Sequence, residues 1–490
     1  MTQVKIKKRE SSALYAALKR TWFAFCASSS IHGLKYTQDR DTSKFVRFIW
    51  MLITLIMFIC AILMVYTFYV SYRSNPIRMN IENDHAPVDS LIFPAITICT
   101  ETLYNIQKAK SYIATLKLPT DTNTSQIMAT LATYFGFITD DYTYSTENIE
   151  LLQNLIDINN ISTLTFMQNL QWNCSDIFFR CRFMWRIMDC RKLIEVSRTY
   201  YGYCCSFNLN QPGLNYTGKT ARGGLFDGLS LILYYNDADY GELGLYSDGF
   251  KVLLSENDAF PSAHSITKFT PLKQETFLSI QPIETYCSPA VKALSIDQRQ
   301  CVLPHEFPLK HFKRHVGTNC ILECRVQTTL KLCGCITYFF YTNETQERVC
   351  SIKDIPCLLA NFSILLFIAR IVGRYRKDQC FCRNPCESVE FFVDLTSAEL
   401  QIDIPTVDEF YNGVQDNHSV IHIYFNNQVY LRVRRDLLSN MVTLVSNLGS
   451  AFSLFVGISM VSIVEIIYYL TVVLRKYYLQ EVKAREKLRR

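Results

Sequence analysis

The stretch Leu437–Leu474, LLSNMVTLVSNLGSAFSLFVGISMVSIVEIIYYLTVVL, limits what this chain can fold into more than any other segment. From Leu438 to Val464 it carries no charge, and then Glu465 stands inside the apolar run. A charge at bilayer depth is costly and tends to face a partner or water. Just before it, Gly457-Ile458-Ser459 sets two small residues where backbones meet closely or a helix unwinds. Ser459, Ser462 and Glu465 follow at spacings of three, which puts them on one rough face of a helix. The pattern predicts a pore or polar seam shared between subunits. Its alternative is a single-pass anchor whose Glu snorkels toward the basic end at Arg475-Lys476.

A second uncharged run, Phe48 to Val70, is 23 residues long, enough to cross a bilayer that needs about 20. Trp50 marks one end, and Tyr66, Tyr69 and Tyr72 the other, as an aromatic belt does. Residues 1–47 hold ten Lys/Arg against three Asp/Glu, and residues 475–490 seven against two, although the whole chain is only +6. Basic ends around an acidic middle predict two cytoplasmic termini. These ends lack interleaved aromatic platforms, so nucleic acid is not an expected partner. KIKKRE at the start has no apolar h-region, so no cleavable signal peptide is expected.

The expected layout is a cytoplasmic segment (1–47), a first span (48–70), an extracellular domain (71–436), a pre-pore segment with the second span (437–474) and a cytoplasmic tail (475–490). All seven Asn-x-Ser/Thr sequons, at Asn123, Asn160, Asn173, Asn215, Asn343, Asn361 and Asn417, fall in the expected extracellular part, as do 17 of the 19 cysteines. Cys26 and Cys60 lie outside it and are expected to be reduced thiols. Two helices cannot enclose an aqueous path, so a pore built from this chain is oligomeric.

Within that domain LIFPAITICT (91–100), GYCCSFNLN, SLILYY, GFKVLLS, ETFLSIQPIE and the alternating HIYFNNQVYLRV (422–433) read as strands, while residues 101–200 mix helical patterns with polar linkers. Upstream of the first span, Ala13–Trp22 reads as a short helix. A dense cysteine block runs from Cys301 to Cys386 with C-x3-C, C-x-C and C-x-C-x3-C spacings. Zinc is the competing reading; without C-x2-C pairs, disulfides are expected and no metal. Leu358–Gly373, apolar but interrupted by Arg370, reads as a buried helix. His305, His311 and His315 stand among Lys310, Lys313 and Arg314 and read as a solvated basic loop. G-x-S-x-G, H-E-x-x-H and P-loop patterns are absent, so no enzyme and no cofactor are expected, only a permeant ion.

Six motifs in order resemble the degenerin/epithelial sodium channel superfamily. His32-Gly33 resembles its cytoplasmic gating motif, FPAITIC (Phe93–Cys99) the signature after its first span, and Cys204-Cys205-Ser206-Phe207-Asn208 its C-x-[ST]-F-N element. GFKVLLSENDAFPS (Gly249–Ser262), the cysteine block, and Gly457-Ile458-Ser459 with Ser462 and Glu465 follow in the family order. LSIDQRQC (Leu294–Cys301) is most similar to the insect pickpocket branch.

The resemblance implies an α+β membrane protein with two transmembrane helices and a disulfide-rich ectodomain of palm, β-ball, finger and thumb. It implies a homo- or heterotrimer with related subunits in the plasma membrane, contacting lipid and an unknown extracellular ligand. Its expected activity is voltage-independent, amiloride-sensitive Na⁺ conduction. Carried over by position, the filter is Gly457-Ile458-Ser459 with Ser462 and Glu465, and gating involves His32, Gly33 and Ser446. The implied disulfides are Cys99–Cys204, Cys174–Cys181, Cys301–Cys386, Cys320–Cys382, Cys324–Cys380, Cys333–Cys357 and Cys335–Cys350, with Cys190–Cys205 as an extra bridge and Cys287 free. The chain departs from the family at Ser450 and Ser453, where glycines are usual, at Ile336-Thr337, and in an insert at 358–379. A non-conducting regulatory subunit and a two-pass receptor or adhesion protein are the alternative functions.

Overall fold

The computed structural model describes residues 2–39, 41–74, 77–102, 104–120, 122–136, 146–236, 239, 248–341, 347–361, 382–438 and 441–487. They divide into two compact units, one made of residues 1–78 with 436–490, the other of residues 79–435.

The larger unit is built on two sheets. Thirteen strands are seen among the described residues: β1 Ile77–Pro87, β2 Ala95–Thr100, β3 Phe178–Phe183, β4 Arg186–Met188, β5 Ile194–Thr199, β6 Gly202–Phe207, β7 Leu229–Tyr234, β8 Gly249–Ser255, β9 Ile266–Pro271, β10 Gln274–Cys287, β11 Ser388–Glu399, β12 His418–Phe425 and β13 Val429–Leu437. The smaller sheet runs β5-β6-β2-β8-β9 with antiparallel pairing throughout. In the larger sheet β10 pairs antiparallel with β11 on one edge and parallel with both β12 and β13. β12 continues through β7 and β3 to β4, and β1 lies beside β13.

The reading of 422–433 as one strand is therefore corrected. Three successive polar residues, Asn426–Gln428, interrupt the ladder and re-register the chain on β10, opposite the region of Pro282, which has no N–H to donate. The strand expected from Leu91 likewise starts only at Ala95, after Pro94.

Phe93 ties the sheets together. It is fully buried, and its ring meets Phe207 of β6 at 6.1 Å, Phe183 of β3 at 6.1 Å and Phe425 of β12 at 5.0 Å, all edge to face. Each such pair adds about 0.5–1.5 kcal/mol beyond its buried area. Asn208 and Asn257 both donate side-chain amides to the Phe93 carbonyl, at 2.5 and 2.8 Å. The F-P-A and S-F-N motifs are thus two halves of one fastening.

A second core is mainly helical. Ile113, Ile127, Leu131, Leu152, Leu155 and Phe166 pack with Leu322 and Val326 of helix Gly317–Cys333 and with Phe339 and Phe340. His311 and His315 are buried there, so the expectation of a solvated loop fails for both. His311 Nδ1 lies 2.9 Å from Glu323 Oε1, and its backbone N–H donates to Glu323 Oε2 at 3.0 Å. The flanking Lys and Arg signalled solvent, but the carboxylate twelve residues on lets the imidazole go inside.

Seven disulfides are seen among the described residues: Cys99–Cys204, Cys174–Cys205, Cys181–Cys190, Cys301–Cys386, Cys320–Cys382, Cys333–Cys357 and Cys335–Cys350. The expected Cys174–Cys181 bridge and the extra Cys190–Cys205 bridge are corrected. Cys204 and Cys205 are neighbours in β6, so their side chains leave opposite faces. Cys204 reaches Cys99 across the β2–β6 pair, and Cys205 reaches Cys174 with 5.7 Å between Cα atoms. Cys181 stands in β3, after the short helix Cys174–Ile177. The β3–β4 hairpin instead returns Cys190 to it at 5.3 Å. Cys324 is disulfide-bonded, and its expected partner Cys380 lies outside the described residues. Cys26, Cys60 and Cys287 are free.

Among the sequons, Asn123, Asn160, Asn173 and Asn215 are exposed, Asn361 and Asn417 are half-buried, and Asn343 lies outside the described residues. The 358–379 segment is described only to Asn361, whose Nδ2 donates to Cys357 O at 2.8 Å.

The smaller unit is helical. Thr2–Ser28 is one helix, longer than the Ala13–Trp22 expected. Lys44–Ser74 follows, 31 residues or about 46 Å at 1.5 Å each, and is the one described helix long and apolar enough by itself to cross a membrane. Thr54 and Thr67 return their hydroxyls to carbonyls of the same helix, at 2.6 and 2.7 Å, as an apolar surrounding requires. Met441–Val456 packs along it. Met460–Tyr468, a five-residue π segment at Tyr469–Val473 and Leu474–Lys487 complete the unit.

Candidate permeation site at a break in the last helix

Gly457-Ile458-Ser459 is a helix stop set directly against a helix start. Gly457 has φ +72°, a left-handed conformation that glycine adopts without a Cβ penalty. Its N–H donates to Ser453 O at 3.0 Å and that of Ile458 to Phe452 O at 3.3 Å, which closes the end of Met441–Val456. Ser459 then caps Met460–Tyr468: Ser462 N–H donates to Ser459 Oγ at 3.3 Å, and Ser459 N–H to Ser462 Oγ at 3.1 Å. The two pieces meet at a bend of 70°. Taken together they pass for one broken span.

The segment Ser28–Gly33 is folded into that break. His32 N–H donates to Val456 O at 3.0 Å, the last carbonyl before the glycine. Ser30 Oγ lies 2.7 Å from Ser462 Oγ and donates to Glu465 Oε2 at 3.1 Å. Ser28 Oγ lies 2.5 Å from the Tyr469 hydroxyl, where the π segment begins. Gly33, with φ +80°, turns the chain back toward the first long helix; a Cβ there would fall 2.7 Å from Thr54 Cγ2. Tyr36 stacks on Trp50 with 4.7 Å between ring centroids.

The structure therefore brings His32, Gly457, Ser459, Ser462 and Glu465 into one cluster, with Gly33 at its edge. Ser462 is 1 % exposed, its hydroxyl shared between Ser30 and Ser459 within the same chain. Glu465 is half-buried and held by Ser30. Ser459 is exposed. Ser446 is also exposed, on Met441–Val456 about three turns before the break and outside the cluster. Ser30 is the member of this cluster that sequence reasoning passed over; the run Ser28-Ser29-Ser30 ahead of His32-Gly33 was its only signal. Chemically the cluster offers hydroxyl and carboxylate oxygens beside a backbone freed from helical pairing. Such a set replaces part of a cation's hydration shell.

The amiloride-sensitive sodium channel family matches residues 25–469. Over 477 residues the chain is 50% identical to "Sodium channel protein Nach" of Drosophila ananassae, covering 97% of this chain and 91% of that one. Its identity to the Drosophila melanogaster protein of the same name is 49% over 490 residues, covering 96% and 90%. Pickpocket protein 28 of Drosophila melanogaster is 23% identical, covering 93% and 79%. The chain thus belongs to the amiloride-sensitive sodium channel family, a family of ion channels within the degenerin/epithelial sodium channel superfamily, beside the insect Nach and pickpocket proteins.

Proposed function

We propose that this chain is a subunit of a trimeric, voltage-independent, amiloride-blocked Na⁺ channel of the plasma membrane. Lys44–Ser74 holds the first span, and Met441–Val456 with the apolar part of Met460–Ala484 holds the second, broken one. Both termini face the cytoplasm, and residues 79–435 face outward, where an extracellular ligand, protons or force act on them. The observation that carries this reading is the capped break at Gly457–Ser459 inside an otherwise apolar helix pair. Three such breaks around an axis present carbonyls and Ser459 hydroxyls to a narrow ring, and three Glu465 carboxylates raise the local cation concentration.

The test is voltage clamp of oocytes expressing the chain, alone and with related insect subunits, under Na⁺/K⁺ exchange and amiloride. Sodium current that Ser459→Phe or Glu465→Lys alters, at unchanged surface level, supports the pore. Reversal potentials and currents untouched by either substitution count against it. Current only on co-expression makes the chain one member of a heteromer.

A further inference from the structure

The helix Thr2–Ser28 carries two apolar faces, and only one of them is covered. Ala13, Ala17 and Thr21, at intervals of four, are buried, and the helix runs along Leu474–Lys487, with Arg20 Nη1 3.0 Å from Glu481 Oε1. About 100° around the same helix stands a second line, Leu14, Leu18 and Trp22, with Tyr15 beside it. These side chains are 44%, 42%, 53% and 71% exposed. Lys19 sits one turn from both Tyr15 and Trp22, at the stripe's edge, and the helix also contains Lys5, Lys7, Lys8 and Arg9.

We infer that this stripe is seated against the interface of an anionic lipid leaflet, so that the exposed face of Thr2–Ser28 anchors the helix at the membrane surface. The inference rests on the proposed span at Lys44–Ser74, which begins sixteen residues after the helix ends. Three features select a lipid surface over a second protein. Leu and Trp form the apolar stripe, while Lys flanks it, the composition of interfacial helices. Residues 1–47 carry ten Lys/Arg against three Asp/Glu, complementary to anionic headgroups. The helix packs along Leu474–Lys487, which follows directly on the second proposed span, and this holds it close to the bilayer. The helix also leads through Ser28 into the cluster at Gly457, so its seating on lipid bears on that cluster.

The test uses full-length protein in nanodiscs of POPC alone or POPC with POPS. Spin labels are placed one at a time at Leu14→Cys, Leu18→Cys and Trp22→Cys on a Cys26→Ser, Cys60→Ser, Cys287→Ser background, with Leu55→Cys and Leu63→Cys as span controls. All three stripe positions are expected to collide with oxygen in preference to a water-soluble nickel chelate, and to move deeper when POPS is present. Nickel access at these positions places the stripe in water and overturns the inference. Shielding from both reagents places a protein over it and overturns it equally. Depths unchanged by POPS remove the anionic requirement. Loss of oxygen access at Leu55→Cys and Leu63→Cys would instead strike the membrane span itself.

Discussion

The ring of His32 occupies the space that a side chain on Gly457 would need: a Cβ built there falls 2.7 Å from both Cγ and Nδ1 of the imidazole. Two residues far apart in sequence are thus matched, the absence of a side chain on one making room for the ring of the other. The φ of +72° at Gly457 adds an independent demand for glycine.

Gly457→Ala meets both obstacles. The left-handed conformation alone costs an alanine about 1–2 kcal/mol. Current is expected to fall roughly tenfold, since 1.4 kcal/mol is a factor of ten in a conformational equilibrium. Adding His32→Ala removes the clash but not the backbone strain, so recovery should be partial. Normal current from Gly457→Ala, with surface protein quantified by biotinylation, would show that the break does not need this geometry.

Ser30 and Glu465 are expected to act as one unit. Ser30→Ala leaves the Glu465 carboxylate without the hydroxyl at 3.1 Å, and Glu465→Gln removes the charge that hydroxyl serves. Contacting groups of this kind couple by about 0.5–3 kcal/mol. In a double-mutant cycle on Na⁺ conductance, the double variant should be little worse than the more severe single one. Strictly additive losses would mean that the two side chains act separately.

Peptide mapping of non-reduced protein should recover Cys174 linked to Cys205 and Cys181 linked to Cys190. Removing either partner of one bridge should destabilise the domain equally, by about 2–5 kcal/mol, and removing both should add little more. A recovered Cys174–Cys181 peptide would refute the strand arrangement around β3 and β6.

Glu256, beside Asp258 and Arg314 in the larger unit, has its carboxyl pushed up to about 7 by burial, which outweighs the Val389 N–H and Arg314 that favour its ionised form. The folded state therefore holds this proton more tightly than the unfolded chain. Its stabilising effect is complete below the ordinary value of 4.5 and is lost as pH rises to about 7. The loss is on the order of 3 kcal/mol. Thermal unfolding of solubilised protein should show wild type weakening across that window more than Glu256→Gln. Parallel curves would mean that Glu256 ionises as an exposed carboxyl does.

Much of this architecture is written locally. A glycine that must stop a helix and a serine that must start one stand two residues apart, and Gly457-Ile458-Ser459 is readable for that reason. The apolar length of Lys44–Ser74 is readable because bilayer thickness sets it. Register is another matter. Cys174 and Cys181 have a suggestive spacing, yet which cysteine each meets depends on which face of β6 Cys205 occupies and where the β3–β4 hairpin turns. The interruption at Asn426–Gln428 is marked by only three polar residues, and the apolar positions on either side, Phe425 and Val429, keep the same parity in the sequence. Ser30 was harder still to read: beyond the serine run that holds it, its partners Ser462 and Glu465 lie 432 and 435 residues away, and no local pattern encodes such a meeting.

The back-to-back caps at Gly457 and Ser459 have a mechanical consequence. Because each helix is capped at the break, with the Val456 carbonyl closed by His32, the angle between them is governed by the torsions of three residues and by what leans on them. A change of that angle unzips no turn of either helix. The joint behaves as a knuckle with finished bone ends, and in this structure the His32 segment leans directly on it.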